Sequence, residues 1–162
     1  MRFSIIVACD EENGIGKDGA MPWRCGADLK YFQHMTRHTS DPRCTNAVVM
    51  GRTTWESLPR RPLPGRVNVV LSRRAFVEET KKDGSGKDDG HGKGDVVWCS
   101  DLTRVVESLQ EYTVETVWFV GGESVDLQCL ELYHVQQIFR TVLPGTYQCD
   151  RFFPTLDATW RL

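Results

Sequence analysis

Asp28 is the residue in this sequence most able to do chemistry. It opens a helical pattern over 27–37 and falls on one stripe with Tyr31, Phe32 and Met35, so its carboxylate is directed at an otherwise apolar face. A first-turn aspartate ordinarily serves the helix dipole, whereas a carboxylate held in apolar surroundings handles protons. Ahead of it runs Gly14-Ile15-Gly16-Lys17-Asp18-Gly19, then Met21-Pro22-Trp23. A loop this rich in glycine can approach a ligand closely with its backbone.

Two further groups lie where strands are predicted to end. Gly121-Gly122 falls between a buried strand and a helix, where backbone N–H groups and the helix dipole favour an anion, although a tight turn explains a glycine pair equally well. Met50-Gly51-Arg52-Thr53-Thr54 repeats the arrangement and adds a guanidinium and two hydroxyls, so the pair could grip both ends of a dinucleotide. Ser72-Arg73-Arg74 ends a third strand, a place suited to the phosphate that separates NADP from NAD, with solvated surface charge the ordinary alternative. Arg66, after Pro64-Gly65, is either a surface residue or a fork for a substrate carboxylate.

Other patterns carry less. His34 and His38 are four apart on a helix with no third ligand spaced to join them, so no metal site is expected. Gly84-Ser85-Gly86-Lys87 and Gly90-His91-Gly92-Lys93 miss the spacing of a phosphate loop and read as linker. Six scattered cysteines without C-x-x-C spacing point to reduced thiols and a cytoplasmic protein. A net charge of −2 gives no basic field for nucleic acid, and the apolar run Phe3–Cys9 is far too short to span a membrane.

The elements that must position these groups follow from periodicity. Buried strands are predicted at 3–9, 46–50, 67–71, 95–99, 116–120 and 137–143, and helices at 27–37, 52–57, from a cap at Ser100 or Asp101 through Leu109, and 124–132. Strands alternating with single helices predict one α/β domain over 1–162 built on a doubly wound, mostly parallel sheet. The segment 78–94 has no aliphatic or aromatic side chain and is expected to be a flexible surface insertion.

Taken together, the chain resembles dihydrofolate reductase. The matching pieces run in order from Ile6-Val7-Ala8 through Asn13-Gly14-Ile15-Gly16, Met21-Pro22-Trp23, Asp28-Leu29 and Tyr31-Phe32. They continue through Val49-Met50-Gly51-Arg52-Thr53-Thr54-Trp55, Ser57-Leu58-Pro59, Pro62-Leu63-Pro64-Gly65-Arg66, Val70-Leu71-Ser72-Arg73, Val120-Gly121-Gly122 and Phe152-Phe153-Pro154. The resemblance implies NADPH-dependent reduction of 7,8-dihydrofolate to tetrahydrofolate, in support of one-carbon and thymidylate metabolism, and sensitivity to antifolates. It assigns Asp28 to the pterin and to promoting protonation at N5, Trp23 to ordering water, and Thr141 to a hydrogen bond with Asp28. Ile6, Val7, Leu29, Phe32, Leu58 and Val120 are assigned to the substrate pocket, with Arg66 on the glutamate α-carboxylate. Ala8, Ile15, Gly16, Gly121 and Gly122 fall to the nicotinamide. Gly51, Arg52, Thr53, Thr54, Leu71, Ser72, Arg73, Glu123, Ser124 and Val125 fall to the phosphates and adenosine. The loop from Gly14 to Trp23 is expected to close over the nicotinamide and exclude water.

Two departures stand out. The family usually has a tyrosine near the nicotinamide where this sequence has Asp126, and relatives continue beyond Phe-Phe-Pro into an antiparallel strand pair for which no other stretch is available here. A strand at 137–143 is then expected to present a free edge, open to association in an otherwise monomeric protein, and an appended strand pair is expected to raise the melting temperature. A catalytically weak folate- or NADPH-binding relative is the alternative reading. A reductase acting on another pterin or a riboflavin precursor is a third, disfavoured because a substrate without a glutamate tail has no use for Arg66.

Overall fold

The computed structural model describes residues 1–73 and 94–162. Its strands are β1 (Arg2–Cys9), β2 (Gly14–Gly16), β3 (Thr45–Gly51), β4 (Val67–Leu71), β5 (Asp95–Cys99), β6 (Val114–Phe119), β7 (Gln137–Val142) and β8 (Arg151–Phe152). Helices are α1 (Gly26–Arg37), α2 (Arg52–Ser57), α3 (Val105–Ser108) and α4 (Glu123–Leu132), with a 3₁₀ turn at Leu102–Arg104.

β-Branched, nearly unbroken apolar runs make strands that must be covered on both faces, and six of them form one sheet in the order β5-β4-β3-β6-β1-β7. Every pairing within it is parallel. Period-2 alternation then sorts the core. Ile6, Val48, Met50, Val70, Trp98 and Trp118 pack with Phe32 and Met35 of α1 and Trp55 of α2 on one face. Ile5, Val49, Val69, Val117 and Phe119 pack with Leu102, Val105, Val125 and Cys129 on the other. The doubly wound reading therefore holds.

The chain leaves β3 for α2 on the first face and leaves β6 for α4 on the second. Neighbouring parallel strands whose connections part in this way open a crevice at their carboxyl ends. The loop after β1 closes one side of it.

Several sequence expectations need correction. The helix predicted from the Ser100–Asp101 cap to Leu109 begins instead as a 3₁₀ turn, because the Asp101 side chain accepts the Thr103 N–H and tightens the first turn. Tyr31, placed on the apolar stripe with Asp28, is 39% exposed, while Phe32 and Met35 face the sheet. A short antiparallel ribbon of β2 and β8 was not expected. Of the predicted insertion only Gly94 is described, and it is buried: a Cβ there would lie 2.2 Å from the Leu63 carbonyl oxygen. The rest of that segment, with both glycine-lysine motifs and Arg74, lies outside the described residues. β7 occupies one edge of the six-stranded sheet.

Candidate active site

A cavity of about 760 Å³ occupies the crevice. Its α1 side is formed by Asp28, Leu29 and Phe32, with Leu58 and Leu63 opposite; its floor by Ile6, Val7 and Ala8 of β1, Met50 of β3, and Val120. Its other end is formed by Gly51–Thr54 and by Gly121–Asp126, and Ile15–Gly16 and Asp18–Met21 complete a wall. One opening thus joins a carboxyl on one face of the sheet to a helix N-terminus on the other.

That helix, α4, starts from Gly122 with no side chain capping it. Gly121 has φ of +109°, a backbone geometry that a side chain would strain, and the Gly121–Gly122 peptide is cis. The Gly51 N–H donates to the Gly121 carbonyl at 3.0 Å, which locks the two glycine turns together. Arg52, by contrast, is engaged already: Nε pairs with Glu56 at 2.9 Å and Nη1 donates to Ser72 Oγ at 3.3 Å. Leu71, Ser72 and Arg73 do not line the cavity; Ser72 meets it through its contact with Arg52.

Arg66 is 4% exposed, and no carboxylate pairs with it among the described residues. Nε donates to the Pro64 carbonyl at 3.0 Å and Nη1 to Thr36 Oγ1 at 2.9 Å, while the Thr36 hydroxyl donates to the Phe32 carbonyl at 2.7 Å. Burial, then the neighbouring Arg37 charge, lowers its pKa to about 10, which leaves the guanidinium charged at neutral pH. A buried cation without a counterion is poised for an anionic group. It stands outside the cavity lining, tied to α1 through Thr36.

Trp23 is buried edge-on against Tyr147 at 5.3 Å between ring centroids, and its Nε1–H has no partner among the described residues. Thr141 lies beside Ala8 in the β1–β7 register, on the sheet face that carries Phe139 and Ile6. No hydrogen bond joins its hydroxyl to Asp28. Neither Trp23 nor Thr141 lines the cavity as it stands.

Sequence reasoning missed Asp150 and Arg151, which reach the cavity because the ribbon carries them there. The Asp150 N–H donates to the Gly16 carbonyl at 2.9 Å, and the Asp18 N–H to Asp150 Oδ2 at 3.1 Å. No short-range signal links residues 132 apart. Asp126, singled out in the sequence as a departure from the family, is buried in the cavity wall with both carboxyl oxygens unpartnered among the described residues. Burial drives its pKa well above the usual carboxylate range. His34 and His38 stack at 5.9 Å on the outer surface of α1, and no group of three metal-ligating side chains occurs among the described residues.

A family model described as dihydrofolate reductase matches residues 2–162. The dihydrofolate reductase of Drosophila melanogaster is 37% identical over 164 residues, covering 99% of this chain and 84% of the fly protein. The chain belongs to the dihydrofolate reductase family. The Aedes albopictus dihydrofolate reductase is 32% identical, covering 99% of this chain and 83% of its own length. The bifunctional dihydrofolate reductase-thymidylate synthase of Glycine max is 37% identical over 97% of this chain, but only 29% of that relative is covered. Family membership accords with the parallel sheet and with a crevice between β3 and β6. Among the described residues, no helix is long and apolar enough to cross a membrane.

Proposed function

We propose that the chain is an NADPH-dependent dihydrofolate reductase, reducing 7,8-dihydrofolate to 5,6,7,8-tetrahydrofolate. One observation carries the reading: a single cavity runs from the Asp28 carboxyl across the sheet edge to the uncapped N-terminus of α4. That N-terminus, with the Thr53, Thr54 and Ser124 hydroxyls, is the donor set a pyrophosphate needs, and the orphaned polar atoms nearby also call for a polar occupant.

When bound, the reduced nicotinamide supplies the hydride for C6 of the substrate. Asp28 accepts hydrogen bonds from the pterin's amino and ring nitrogens and favours a proton at N5, through a water that the Trp23 Nε1–H helps to hold. Ile6 and Val120 offer backbone carbonyls to the pterin amino group, Val7 borders it, and Leu29, Phe32 and Leu58 pack on the aminobenzoyl ring. Thr141, beside Ala8 on β7, is given the role of orienting Asp28 by the family resemblance. Arg66 takes the glutamate carboxylate. Ala8, Ile15, Gly16, Gly121 and Gly122 border the nicotinamide, and Gly51–Thr54, Leu71–Arg73 and Glu123–Val125 surround the rest of the cofactor. The same reading makes the protein a cytosolic, single-domain monomer, open to antifolates and without a metal.

The test is NADPH oxidation with dihydrofolate, followed beside Asp28→Asn. Loss of about 10²-fold or more in kcat is expected, the range of one positioned acid–base group. A second reading, a cofactor-binding relative with weak turnover, is favoured by the buried Asp126; it is supported if NADPH binds and dihydrofolate is not reduced.

A further inference from the structure

Asp126 has no structural task. Its side chain is 0% exposed, neither oxygen has a hydrogen-bond partner among the described residues, and removing a carboxyl from water without a partner is costly. A structural aspartate caps, pairs or accepts, as Asp10 and Asp101 do. Asp126 does none of these. In an α-helix its side chain leans back over the preceding turn, toward Gly122, where the cavity wall is.

The charges around it are few. Cys129, one turn on, is the titratable group that shares its pocket, and its thiol is pushed upward by burial first and by Asp126 second. β3 carries no charged side chain. On β6, Glu115 is occupied by the Ser40 and Asp41 amides, and on the 3₁₀ turn Arg104 lies beside Asp101. At the rim, Glu123 Oε2 accepts the Phe152 N–H at 2.6 Å. Only burial shifts Asp126 itself. Its protonation is therefore open to control by whatever fills the cavity.

We propose that Asp126 senses the charge of the nicotinamide ring: it stays a neutral acid while the reduced, uncharged ring is bound and gives up its proton when the oxidised, cationic one is bound. The inference rests on the cofactor assignment above. A sealed carboxyl needs no contact to act, because a charge in a poorly screened wall is felt across several ångströms. The proton passes to solvent when the cation binds and returns when it leaves, with no covalent change in the protein.

The experiment measures NADP⁺ and NADPH binding by calorimetry from pH 6 to 8.5, in buffers of different ionisation enthalpy, for the wild type and Asp126→Asn. The adenosine phosphate is common to both ligands, so its titration cancels in the ratio of their affinities. In the wild type the ratio is expected to shift toward NADP⁺ as pH rises, by up to about tenfold per pH unit where one full proton is released. In Asp126→Asn it is expected to stay level within about twofold, with no proton release particular to NADP⁺. A level ratio in the wild type, or an equal slope in the variant, overturns the inference and leaves the cofactor assignment standing. Failure of the wild type to bind either dinucleotide overturns both.

Discussion

At the scale of single residues, Arg66 and Asp126 are opposite cases of a buried ionisable group. Arg66 keeps its charge, held by Thr36 and Pro64, and lacks only an anion. Arg66→Leu is therefore expected to raise KM for dihydrofolate roughly 10- to 100-fold with kcat little changed, the loss of one charge-assisted contact made equally in ground and transition states. Steady-state kinetics at saturating NADPH checks it. Asp126 instead yields its charge. Its folded pKa is raised above the unfolded value of about 3.9, so the folded state binds the extra proton, and the stability this group contributes is complete at low pH and lost as pH climbs toward the folded pKa. Asp126→Asn is thus expected to melt higher than the wild type at pH 7 to 8, with the advantage shrinking as pH is lowered toward 4. Thermal melts across that range read the trend. A constant difference would mean that the side chain's shape, and not its proton, decides.

At the scale of elements, the loop after β1 is held by one carboxylate. Asp10 is buried, and burial alone would raise its pKa; the N–H groups of Tyr147, Gly14 and Glu12, with the Cys149 thiol, outweigh that and lower it. One side chain thereby ties together the end of β1, the start of β2 and the chain leading to β8. Asp10→Ala leaves three N–H donors unpaired and is expected to cost about 1–3 kcal/mol of stability, measured by urea unfolding. Because the folded pKa is depressed, the contribution is present above the unfolded value and is lost as pH falls through the folded one. The gap between wild type and variant should therefore close in acid. None of this was legible in the sequence. Strands β4 and β5, and helix α2, appear within the predicted bounds because apolar runs and their Gly/Pro stops are local signals. The ribbon is too short for a period-2 pattern and pairs Gly14 with Phe152, and Asp10 reads as one of three acids in a row. The close approach that requires glycine at 14, where a Cβ would meet Cys149 at 2.5 Å, shows only in the structure.

At the scale of the whole molecule, the cavity is the place where the two faces of the sheet meet. Asp28 belongs to the layer of α1 and α2, Asp126 and Ser124 to the layer of α4, and the sheet separates them everywhere except at its carboxyl edge. Residue types and spacing pointed to Asp28 and the two glycine turns, which the fold brings to this cavity, whereas their division between layers was not legible: layer assignment depends on strand order. The meeting of the two faces also means that a dinucleotide in the proposed site touches β1, β3, α2, α4 and the loop before α1 at once. A ligand bound only to the folded chain stabilises it by mass action, about 2.7 kcal/mol at a free concentration one hundred times Kd. For a protein of this size that corresponds to a rise of roughly 5–11 °C in Tm. NADPH is expected to produce such a shift in wild-type protein and in Asp28→Asn alike, since Asp28 is assigned to the substrate end. Dihydrofolate added alone should stabilise the wild type more than Arg66→Leu. If NADPH protected the wild type but not Asp28→Asn, the two ends of the cavity would have been assigned the wrong way round.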